Sequence, residues 1–339
     1  MKTESANASQ GHALQITLEN QNMPATLPST IDVLERELMQ RPDDTGLLAQ
    51  LAGLHETAGH AVVAARYRCR AFLLPPLEGK SWEMLAKAAY FLGRFEVAAD
   101  FHRAWLQDEP GHPLATHLLA ACSQHDVPAR ASDAFLAMHF DDFAPRFDAN
   151  LLDHLAYRGP RMIGDGLAMV AVPGARLDAV DIGCGTGLCG PVIAACCRSI
   201  VGVDLSAGML EQAAARGVYS SLEKAEAGDY LARHPACCDL LVAADTLIYF
   251  GDLGPLFQGV ARALRPGGHF IFTIETLPPS DDASSGFRLD ASGRYRHHRS
   301  AVEAQLGAHG LQLLFVREER LREERGEAVA GLLFVARVG

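Results

Sequence analysis

The stretch that decides the fold runs from 177 to 204 and reads LDAVDIGCGTGLCGPVIAACCRSIVGVD. It begins with the apolar pattern of a buried strand, 177–182, and its second apolar run ends on Asp204. Three glycines follow the first strand, namely Gly183, Gly185 and Gly187. Glycines permit a tight strand-to-helix turn and a close approach to a ligand, and a helix N-terminus offers unpaired N–H groups. This order predicts a ligand site at the carboxyl ends of parallel strands.

Strands and helices are predicted to alternate beyond this stretch. Strands are expected near 177–182, 199–204, 221–225, 238–243 and 268–275, and helices near 187–197, 207–216, 228–234 and 253–264. A further helix is expected over 299–309. Two β-rich runs follow, 311–318 and 329–337, joined by the polar segment EERLREERGE. A βαβ series that ends in a hairpin indicates a Rossmann-like, doubly wound sheet with an antiparallel strand near one edge.

The preceding part of the chain, from about 28 to 126, repeats itself with a period of 34 residues. The residues that recur at this spacing are Pro42, Pro76 and Pro110, Gly59 and Gly93, Leu51 and Leu85, Ala52 and Ala86, and Ala64 and Ala98. Small residues let two helices approach closely, glycine ends a helix, and proline cannot continue one. The period therefore predicts stacked helical pairs, and it resembles the tetratricopeptide (TPR) repeat over about 45–78 and 79–112.

The glycine loop fits two ligands when it is considered alone. Gly185, Gly187 and Gly190 spell G-x-G-x-x-G, the fingerprint of dinucleotide-binding proteins. In that fingerprint the first glycine closes the strand directly, whereas here the strand runs on through Asp181. A carboxylate at Asp181 would repel a pyrophosphate but attract a ligand that carries an ammonium and a sulfonium. Asp204, at the end of the next strand, is placed to accept from two ribose hydroxyls in either case.

Five sequence blocks resolve this ambiguity by resemblance. They read VDIGCGTG, GVDLSAGML, KAEAGDYL, DLLVAADTLIYF and ALRPGGHFIFTIE. Over 177–275 this order is similar to the seven-strand, class I S-adenosylmethionine-dependent methyltransferases. With the repeats and the FDDFAPRFD…LAYRGP segment, the whole chain resembles TPR-repeat methyltransferases. Residues 1–26 are polar and aperiodic, so a flexible leader is expected there. The predicted domains that follow are TPR-like helical repeats (27–130), a helical linker or lid (131–170) and a methyltransferase domain (171–339).

The resemblance also implies which residues bind the methyl donor. The glycine loop and Asp181 would bind its methionine part, Asp204 its ribose, and the next two loops its adenine. The implied set is Asp181, Gly183, Gly185, Gly187, Asp204, Leu205, Met209, Glu226 and Ala227, with Phe143, Phe147, Tyr157 and Arg158 as a lid. Arg158 would pair with the donor's carboxylate. Glu226 stands where the similar families more often have an aspartate.

Plainer structural roles remain open for most of these residues. The carboxylates of Asp204 and Asp245 would also serve as helix caps, and Glu226 as a surface residue. The two phenylalanines of the lid have helical spacing and would fit a core equally well. Tyr157 and Arg158 would also fit an interface between the methyltransferase domain and the repeats.

Methyl transfer requires few catalytic groups from the protein. It is an in-line displacement at carbon from an already activated sulfonium, so alignment and exclusion of water do most of the work. A base is required only if the acceptor must lose a proton. Asp245 and Tyr249, which follow the fourth strand, are expected to line the reaction space. His297, in the GRY-x-H run that the similar family also has, is the first candidate for a base, and a solvent-exposed loop is its alternative.

The composition of the chain excludes several classes of partner. The formal net charge of −11 argues against a general nucleic-acid binder. Eight cysteines contain no C-x-x-C pair, so neither a zinc site nor a disulfide framework is expected. No long apolar run and no secretory signal is present, so a cytoplasmic location and no membrane partner are expected. The predicted partners are a small-molecule acceptor and, through the repeats, a protein partner or a second copy. A carrier-bound substrate and a non-catalytic scaffold are the alternatives.

Overall fold

The structure is a computed structural model that describes residues 27–149, 151, 155–170, 174, 176–281 and 285–339. The predicted leader, 1–26, lies outside these residues. The helices are α1 (Leu27–Gln40), α2 (Thr45–Thr57), α3 (Ala61–Phe72), α4 (Trp82–Phe91), α5 (Phe95–Asp108), α6 (Pro113–Ser123), α7 (Asp133–Phe143), α8 (Phe147–Ala149), α9 (Gly159–Val170), α10 (Gly190–Ile193), α11 (Ala207–Ala215), α12 (Ala227–Arg233), α13 (Gly254–Ala263) and α14 (Arg299–Ala308). None of the described helices is long and apolar enough to cross a bilayer.

Nine strands in the described part of the chain form one sheet. They are β1 (Leu177–Ile182), β2 (Cys197–Asp204), β3 (Ser221–Lys224), β4 (Cys238–Ala243), β5 (Leu264–Thr276), β6 (Phe287–Leu289), β7 (Tyr295–His297), β8 (Leu311–Glu324) and β9 (Glu327–Val338). The order β3-β2-β1-β4-β5 is parallel, β9 pairs antiparallel with β5, and β8 pairs with β9. The expected Rossmann-like sheet with an antiparallel edge is confirmed. Because β1 to β5 are parallel, their carboxyl ends meet at one edge.

The region from α1 to α6, called the helical region below, consists of helical pairs. Gly59 and Gly93 lie just past the ends of α2 and α4 with φ of 79° and 73°, a conformation that favours glycine. Ala64 and Ala98 are fully buried between paired helices. A helical N-terminal half is therefore confirmed, while its membership of the TPR class stays a prediction.

Two apolar layers enclose the sheet. One layer contains aromatic side chains of β5, β9 and α13. The other is formed largely by α9, whose Met162 and Ile163 are fully buried against β1, β4 and β5. Gly166 of α9 has no room for a side chain, since a Cβ there would lie 2.8 Å from Ile271. This close contact lets the backbone of α9 pack directly on the sheet.

Two elements differ from their predictions. The helix expected over 187–197 is only the single turn α10, followed by a 3₁₀ turn over Ala194–Cys196. Gly187 with φ of 82° and Pro191 delay the helix, and a Cβ at Gly190 would lie 2.7 Å from Val218. The polar segment EERLREERGE is not a linker, because β8 continues through it to Glu324.

The helical region packs directly on the sheet domain. Ala131 donates its N–H to the carbonyl of Tyr249 at 2.8 Å, and Gly251 donates to Ala129 at 2.8 Å. The phenol of Tyr295 on β7 donates to the carbonyl of Pro128 at 2.6 Å. The connection between the two parts of the chain is therefore hydrogen-bonded to the loop that follows β4.

Candidate active site

A cavity of about 390 Å³ opens at the carboxyl ends of the parallel strands. This volume is in the range of small-molecule sites. Thirteen of the sixteen predicted site residues line it: Phe143, Phe147, Tyr157, Asp181, Gly183, Gly185, Asp204, Leu205, Met209, Glu226, Ala227, Asp245 and Tyr249. The remaining three, Gly187, Arg158 and His297, do not.

The glycine loop forms a cradle on one side of the cavity. Gly183 and Gly185 have φ of 63° and 53°, a region that side chains rarely adopt. A Cβ on Gly183 would lie 2.4 Å from the side chain of Thr246. A Cβ on Gly185 would instead project into open space, with only Phe147 at 3.9 Å. The backbone at Gly185 is thus accessible to a ligand because no side chain covers it.

Asp181 sits at the base of this cradle. Its carboxylate is buried and accepts a hydrogen bond of 2.7 Å from the phenol of Tyr219. Burial raises the pKa of Asp181 to about 7, because a charged carboxylate is poorly solvated there. A cationic ligand group would stabilise the ionised form. Tyr219 was not singled out from the sequence, since nothing in its local pattern sets it apart.

Asp204 joins the two loops of the cradle. Its carboxylate accepts from the N–H of Gly185 at 2.9 Å and from that of Ser206 at 2.8 Å. The cap of α11 is Ser206, which accepts from Met209, so the alternative of Asp204 as the helix cap is wrong. Burial raises the pKa of Asp204, and the backbone donors counteract this. Each carboxylate oxygen keeps a second lone pair for a ligand hydroxyl.

Glu226 has a structural role and a cavity position at once. Its carboxylate caps α12 by accepting from the N–H of Asp229 at 2.9 Å. Glu226 and Ala227 also line the cavity, and because they follow β3 they are separated from the glycine loop after β1 by β2 and its Asp204. Leu205 and Met209 are apolar residues that line the same cavity.

The segment 133–149, which we call the lid segment, lies across this cavity. Its Asp141 accepts a hydrogen bond of 2.5 Å from the hydroxyl of Ser206. Its Asp148 accepts from the hydroxyl of Thr186, at the glycine loop, and forms an ion pair of 2.5 Å with Arg216. Two carboxylates therefore attach the lid segment to the loops after β1 and β2.

Aromatic rings of the lid segment face the cavity. Phe143 and Phe147 are partly exposed and pack edge-to-face with centroids 5.6 Å apart. Phe140 contacts the ring of Tyr249 edge-to-face at 5.5 Å. These rings line the cavity and are not part of a closed core. His139 of the same helix also lines it, and burial with the charge of Arg294 lowers its pKa to about 4.

Asp245 lies directly after β4 in an uncommon backbone conformation, with φ of 57°. Its N–H donates to the hydroxyl of Thr273 at 2.9 Å. Its carboxylate accepts two hydrogen bonds from one nitrogen of Arg322, at 3.0 and 2.8 Å. Burial raises the pKa of Asp245, and Arg322 counteracts this. Asp245 is therefore part of an ion-pair network, and the helix-cap alternative is wrong.

This network continues along the wall of the cavity. Arg322 also pairs with the buried Glu275, which pairs in turn with Arg294 at 2.8 Å. Arg294 reaches Glu324, which accepts from the phenol of Tyr90 at 2.6 Å. Burial by itself raises the pKa of Glu275, but the surrounding arginines outweigh it and hold that pKa at about 2. Of this network only Asp245 was predicted from the sequence. Arg322 and Glu324 lie in EERLREERGE, Arg294 in the insertion after β5, Glu275 within β5 and Tyr90 in α4, so no local pattern joins them.

His297 is a correction to the predicted set. Its ring is buried, and its Nε2 donates to the carbonyl of Phe250 at 2.8 Å. Burial lowers its pKa to about 4, so the ring is neutral at pH 7. The residue supports the loop after β4 and does not reach the cavity, so a base at this position is not supported. The solvent-exposed alternative is equally wrong.

Arg158 and Gly187, the other two predicted residues that do not line the cavity, have structural roles. Arg158 pairs with Glu319 of β8 at 3.2 Å and does not line the cavity. Its predicted partner, a ligand carboxylate, would compete with this ion pair. Gly187 is buried, and a Cβ there would lie 2.7 Å from Tyr219. It permits the turn and close packing without forming part of the wall.

Within the described residues, no group of three or more His, Cys, Asp or Glu side chains is arranged to hold a metal ion.

Tyr157 and Tyr249 both line the cavity, and burial raises the pKa of each phenol above its ordinary value. Both phenols are therefore protonated at neutral pH.

Comparison with known proteins agrees with this geometry. Residues 180–272 match the family model described as a methyltransferase domain. The chain is 33% identical over 150 residues to a ubiquinone biosynthesis O-methyltransferase of Cupriavidus pinatubonensis, covering 41% of this chain and 55% of that protein. It is 38% identical over 140 residues to a trans-aconitate 2-methyltransferase of Pseudomonas aeruginosa, covering 36% and 49%. A probable S-adenosylmethionine-dependent methyltransferase of Saccharomyces cerevisiae is 28% identical over 175 residues, covering 48% and 55%.

Among solved structures, an S-adenosylmethionine-dependent methyltransferase from Mesorhizobium loti is 28% identical, with a TM-score of 0.41, and covers 51% of this chain and 96% of that one. The chain spans about half the length of the curated relatives it matches. Residues 180–272 are therefore similar to methyltransferase domains, and one of the relatives is named as probably S-adenosylmethionine-dependent.

Proposed function

We propose that the protein transfers a methyl group from S-adenosylmethionine to a small-molecule acceptor by in-line displacement. The observation that carries this proposal is the cavity in which Asp181, Asp204 and the open backbone of Gly185 converge. The matched family domain supports the donor, and relatives named as O-methyltransferase and trans-aconitate methyltransferase support a small acceptor.

The donor site fits this ligand by chemistry and by space. Asp181 offers a buried carboxylate to the amino group, and Asp204 offers free lone pairs to the ribose hydroxyls. Leu205 and Met209 offer apolar surface to the adenine, with Glu226 at its edge. S-adenosylmethionine, when bound, supplies a methyl carbon already activated by its sulfonium. The lid segment excludes water, and Asp245 and Tyr249 orient the acceptor.

We propose that the helical region is a TPR-like repeat array that completes the acceptor site from within the chain. Support comes from Tyr90, whose phenol reaches the wall residue Glu324 at 2.6 Å. In the alternative, the repeats would dock a protein or a carrier-bound substrate. The contacts of α4 with the cavity wall favour the intramolecular role, since they place this surface against the chain's own site.

Titration with S-adenosylhomocysteine, the demethylated product, tests the proposal. We expect saturable one-site binding by isothermal titration calorimetry, at least tenfold weaker in Asp204→Ala, since a hydrogen-bonded carboxylate contributes about 1.5–3 kcal/mol. Asp252→Asn is the matched control, because Asp252 accepts from Gly254 outside the cavity. If neither S-adenosylhomocysteine nor S-adenosylmethionine binds at millimolar concentration, the proposed activity is excluded and the scaffold alternative gains support.

A further inference from the structure

We propose that Tyr219 is a positioning residue for the methyl donor, and that its phenol keeps the Asp181 carboxylate charged for the donor's amino group. The juxtaposition that carries this inference is a phenol outside the cavity that donates to Asp181, while Asp181 itself lines the cavity. The inference rests on the proposed function, because it adds to the donor site a residue that acts through another side chain.

Three glycines make room for the ring of Tyr219, and together they form a niche for it. A Cβ at Gly187 would lie 2.7 Å from the ring, and a Cβ at Gly190 or Gly202 would lie 2.9 Å from it. These distances are too short for side-chain contacts, so a larger residue at any of the three positions would displace the ring. The niche therefore encloses the ring between the loop after β1, the start of α10 and β2.

The segment that carries Tyr219 is anchored on both sides of this residue. Arg216 donates through Nε to the carbonyl of Thr186 at 2.5 Å. Ser220 donates its N–H to the carbonyl of Ile200 at 2.8 Å, and its hydroxyl accepts from the N–H of the same residue at 3.2 Å. The phenol therefore has a fixed position before any ligand binds.

The hydrogen bond from the phenol favours the ionised form of Asp181. A phenolic O–H donates to a carboxylate, and such a bond is stronger when the acceptor is charged. Burial raises the pKa of Asp181 to about 7, the bond from Tyr219 lowers it, and the charge of Asp204 raises it. Without the phenol, burial and Asp204 would raise this pKa further, so that Asp181 would be largely protonated at pH 7.

The other titratable groups that face Asp181 do not replace this hydrogen bond. They are the thiols of Cys184 and Cys189, the phenol of Tyr157 and the carboxyl of Asp204. Burial raises the pKa of the two thiols and of this phenol, so all three are uncharged at neutral pH. The carboxyl has the same sign of charge as Asp181 and opposes its ionisation. Among the described residues, the hydrogen-bond donor to the Asp181 side chain is Tyr219.

A pH profile of ligand binding tests the inference, with S-adenosylhomocysteine as the probe and the full chain as the protein. Tyr219→Phe keeps the ring in its niche and removes the O–H. We expect the midpoint of the profile to move upward by about one pH unit, because one hydrogen bond to the charged form is lost. The variant should then bind about fivefold more weakly than the wild type at pH 7, but within about twofold of it at pH 8.5, where Asp181 is mostly ionised in both. An equal loss at both pH values, or no loss at pH 7, would overturn the inference.

A double-mutant cycle shows whether Tyr219 acts through Asp181. In the Asp181→Asn background the phenol has no carboxylate to stabilise, so adding Tyr219→Phe should change the affinity by less than about twofold at every pH. A loss in this background as large as that in the wild type would assign Tyr219 a purely structural role and contradict the inference.

The control is Tyr295→Phe, which removes another phenol that donates a hydrogen bond outside the cavity. This change should lower stability and leave the pH profile in place, and a profile that moves as far as in Tyr219→Phe counts against the inference. If Tyr219→Phe does not fold, 3-fluorotyrosine at position 219 is the second variant. Its more acidic phenol is a stronger donor, so the midpoint should move downward, and an unmoved midpoint counts against the inference. Absence of S-adenosylhomocysteine binding by the wild type counts instead against the proposed function itself.

Discussion

Asp181 shows how a single residue acquires its properties from the surrounding fold. The sequence places an acid at the head of the glycine loop, but an exposed aspartate would be ionised well below pH 7. In the structure its side chain is buried with the phenol of Tyr219 as hydrogen-bond donor. Desolvation outweighs that hydrogen bond and raises the pKa to about 7. The residue is therefore poised to change charge near neutral pH.

Binding of the donor should consequently depend on pH. Only the ionised form of Asp181 attracts the ligand's ammonium, and protonation of the free protein competes with binding below pH 7. We expect the affinity for S-adenosylhomocysteine to be nearly constant from pH 7.5 to 8, and to be roughly tenfold weaker at pH 6. Calorimetric titrations between pH 5.5 and 8 would measure this.

The control for this prediction is Asp181→Asn, which cannot ionise. Its binding should be weaker throughout and should lose most of the pH dependence. A wild-type affinity that stays flat down to pH 6 would contradict the assignment. An equally steep slope in the variant would assign the titration to another group, with Asp204 as the neighbour whose pKa is also raised.

At the scale of elements, the lid segment is the part whose attachment matters most for the donor site. Its two carboxylates reach across to loops that belong to the sheet domain. Asp148 holds Thr186 and Arg216 at once, so it bridges the glycine loop and the end of α11. The segment covers the cavity with aromatic rings while these polar contacts keep it in place.

Loosening this attachment should speed release of the ligand. Asp148→Asn keeps the shape of the side chain but removes the charge that pairs with Arg216. We expect S-adenosylhomocysteine to dissociate roughly tenfold faster, in line with the loss of a charge-assisted hydrogen bond. A stopped-flow displacement experiment measures the rate directly.

The matched control lies in the same segment. Asp142 is exposed, and among the described residues its ion-pair partner is Arg146, at 3.9 Å, so Asp142→Asn should leave the dissociation rate unchanged. If both variants release the ligand at the wild-type rate, the contacts of the lid segment with the loops do not govern release.

At the scale of the whole molecule, the helical region and the β8–β9 hairpin hold each other in place. The hairpin tip inserts between α3, α4 and α5, where the guanidinium of Arg325 lies 4.8 Å from the ring of Tyr90 and 5.7 Å from that of Phe95. Gly326 has φ of 81°, and a Cβ there would lie 3.3 Å from Val62. Since Glu324 precedes the tip, the helical region determines where one wall of the cavity stands.

Removing the phenol of Tyr90 should therefore affect the acceptor wall more than the donor site. In Tyr90→Phe the ring contact with Arg325 remains and the hydrogen bond to Glu324 is lost. We expect the free energy of unfolding to fall by about 1–2 kcal/mol, because a hydrogen bond to a carboxylate is lost. Binding of S-adenosylhomocysteine should stay within twofold of the wild type.

Tyr67→Phe is the control within the helical region. Its phenol donates to Glu35 at 2.9 Å, far from the cavity, so the change should affect stability alone. Urea unfolding and titration with S-adenosylhomocysteine separate the effects. A loss of S-adenosylhomocysteine binding beyond twofold in Tyr90→Phe but not in Tyr67→Phe would mean that the contact with Glu324 also acts on the proposed donor site.

The sequence was sufficient to predict the elements that depend on short-range patterns, including the ends of some strands. β1, β4 and α11 lie within a residue of their predicted bounds, because apolar periodicity and glycine turns are local signals. The same holds for the placement of Asp181 and Asp204 at the edge of the sheet. Apolar periodicity fails to predict a strand where the strand is formed by a polar run, as in the second half of β8. There, charged partners from distant elements compensate the charges of the strand.

The sequence by itself determined the Rossmann-like class of the sheet domain and predicted the residues of the proposed donor half, because both depend on residues within one βαβ unit and its immediate continuation. Only the tertiary structure brought together the wall of the proposed acceptor half. Tyr90, Glu275, Arg294 and Arg322 come from four separate parts of the chain, and their charges have meaning only as pairs. His297 illustrates the same point in reverse, since a residue type suited to catalysis became a buried support once the loop after β4 closed over it.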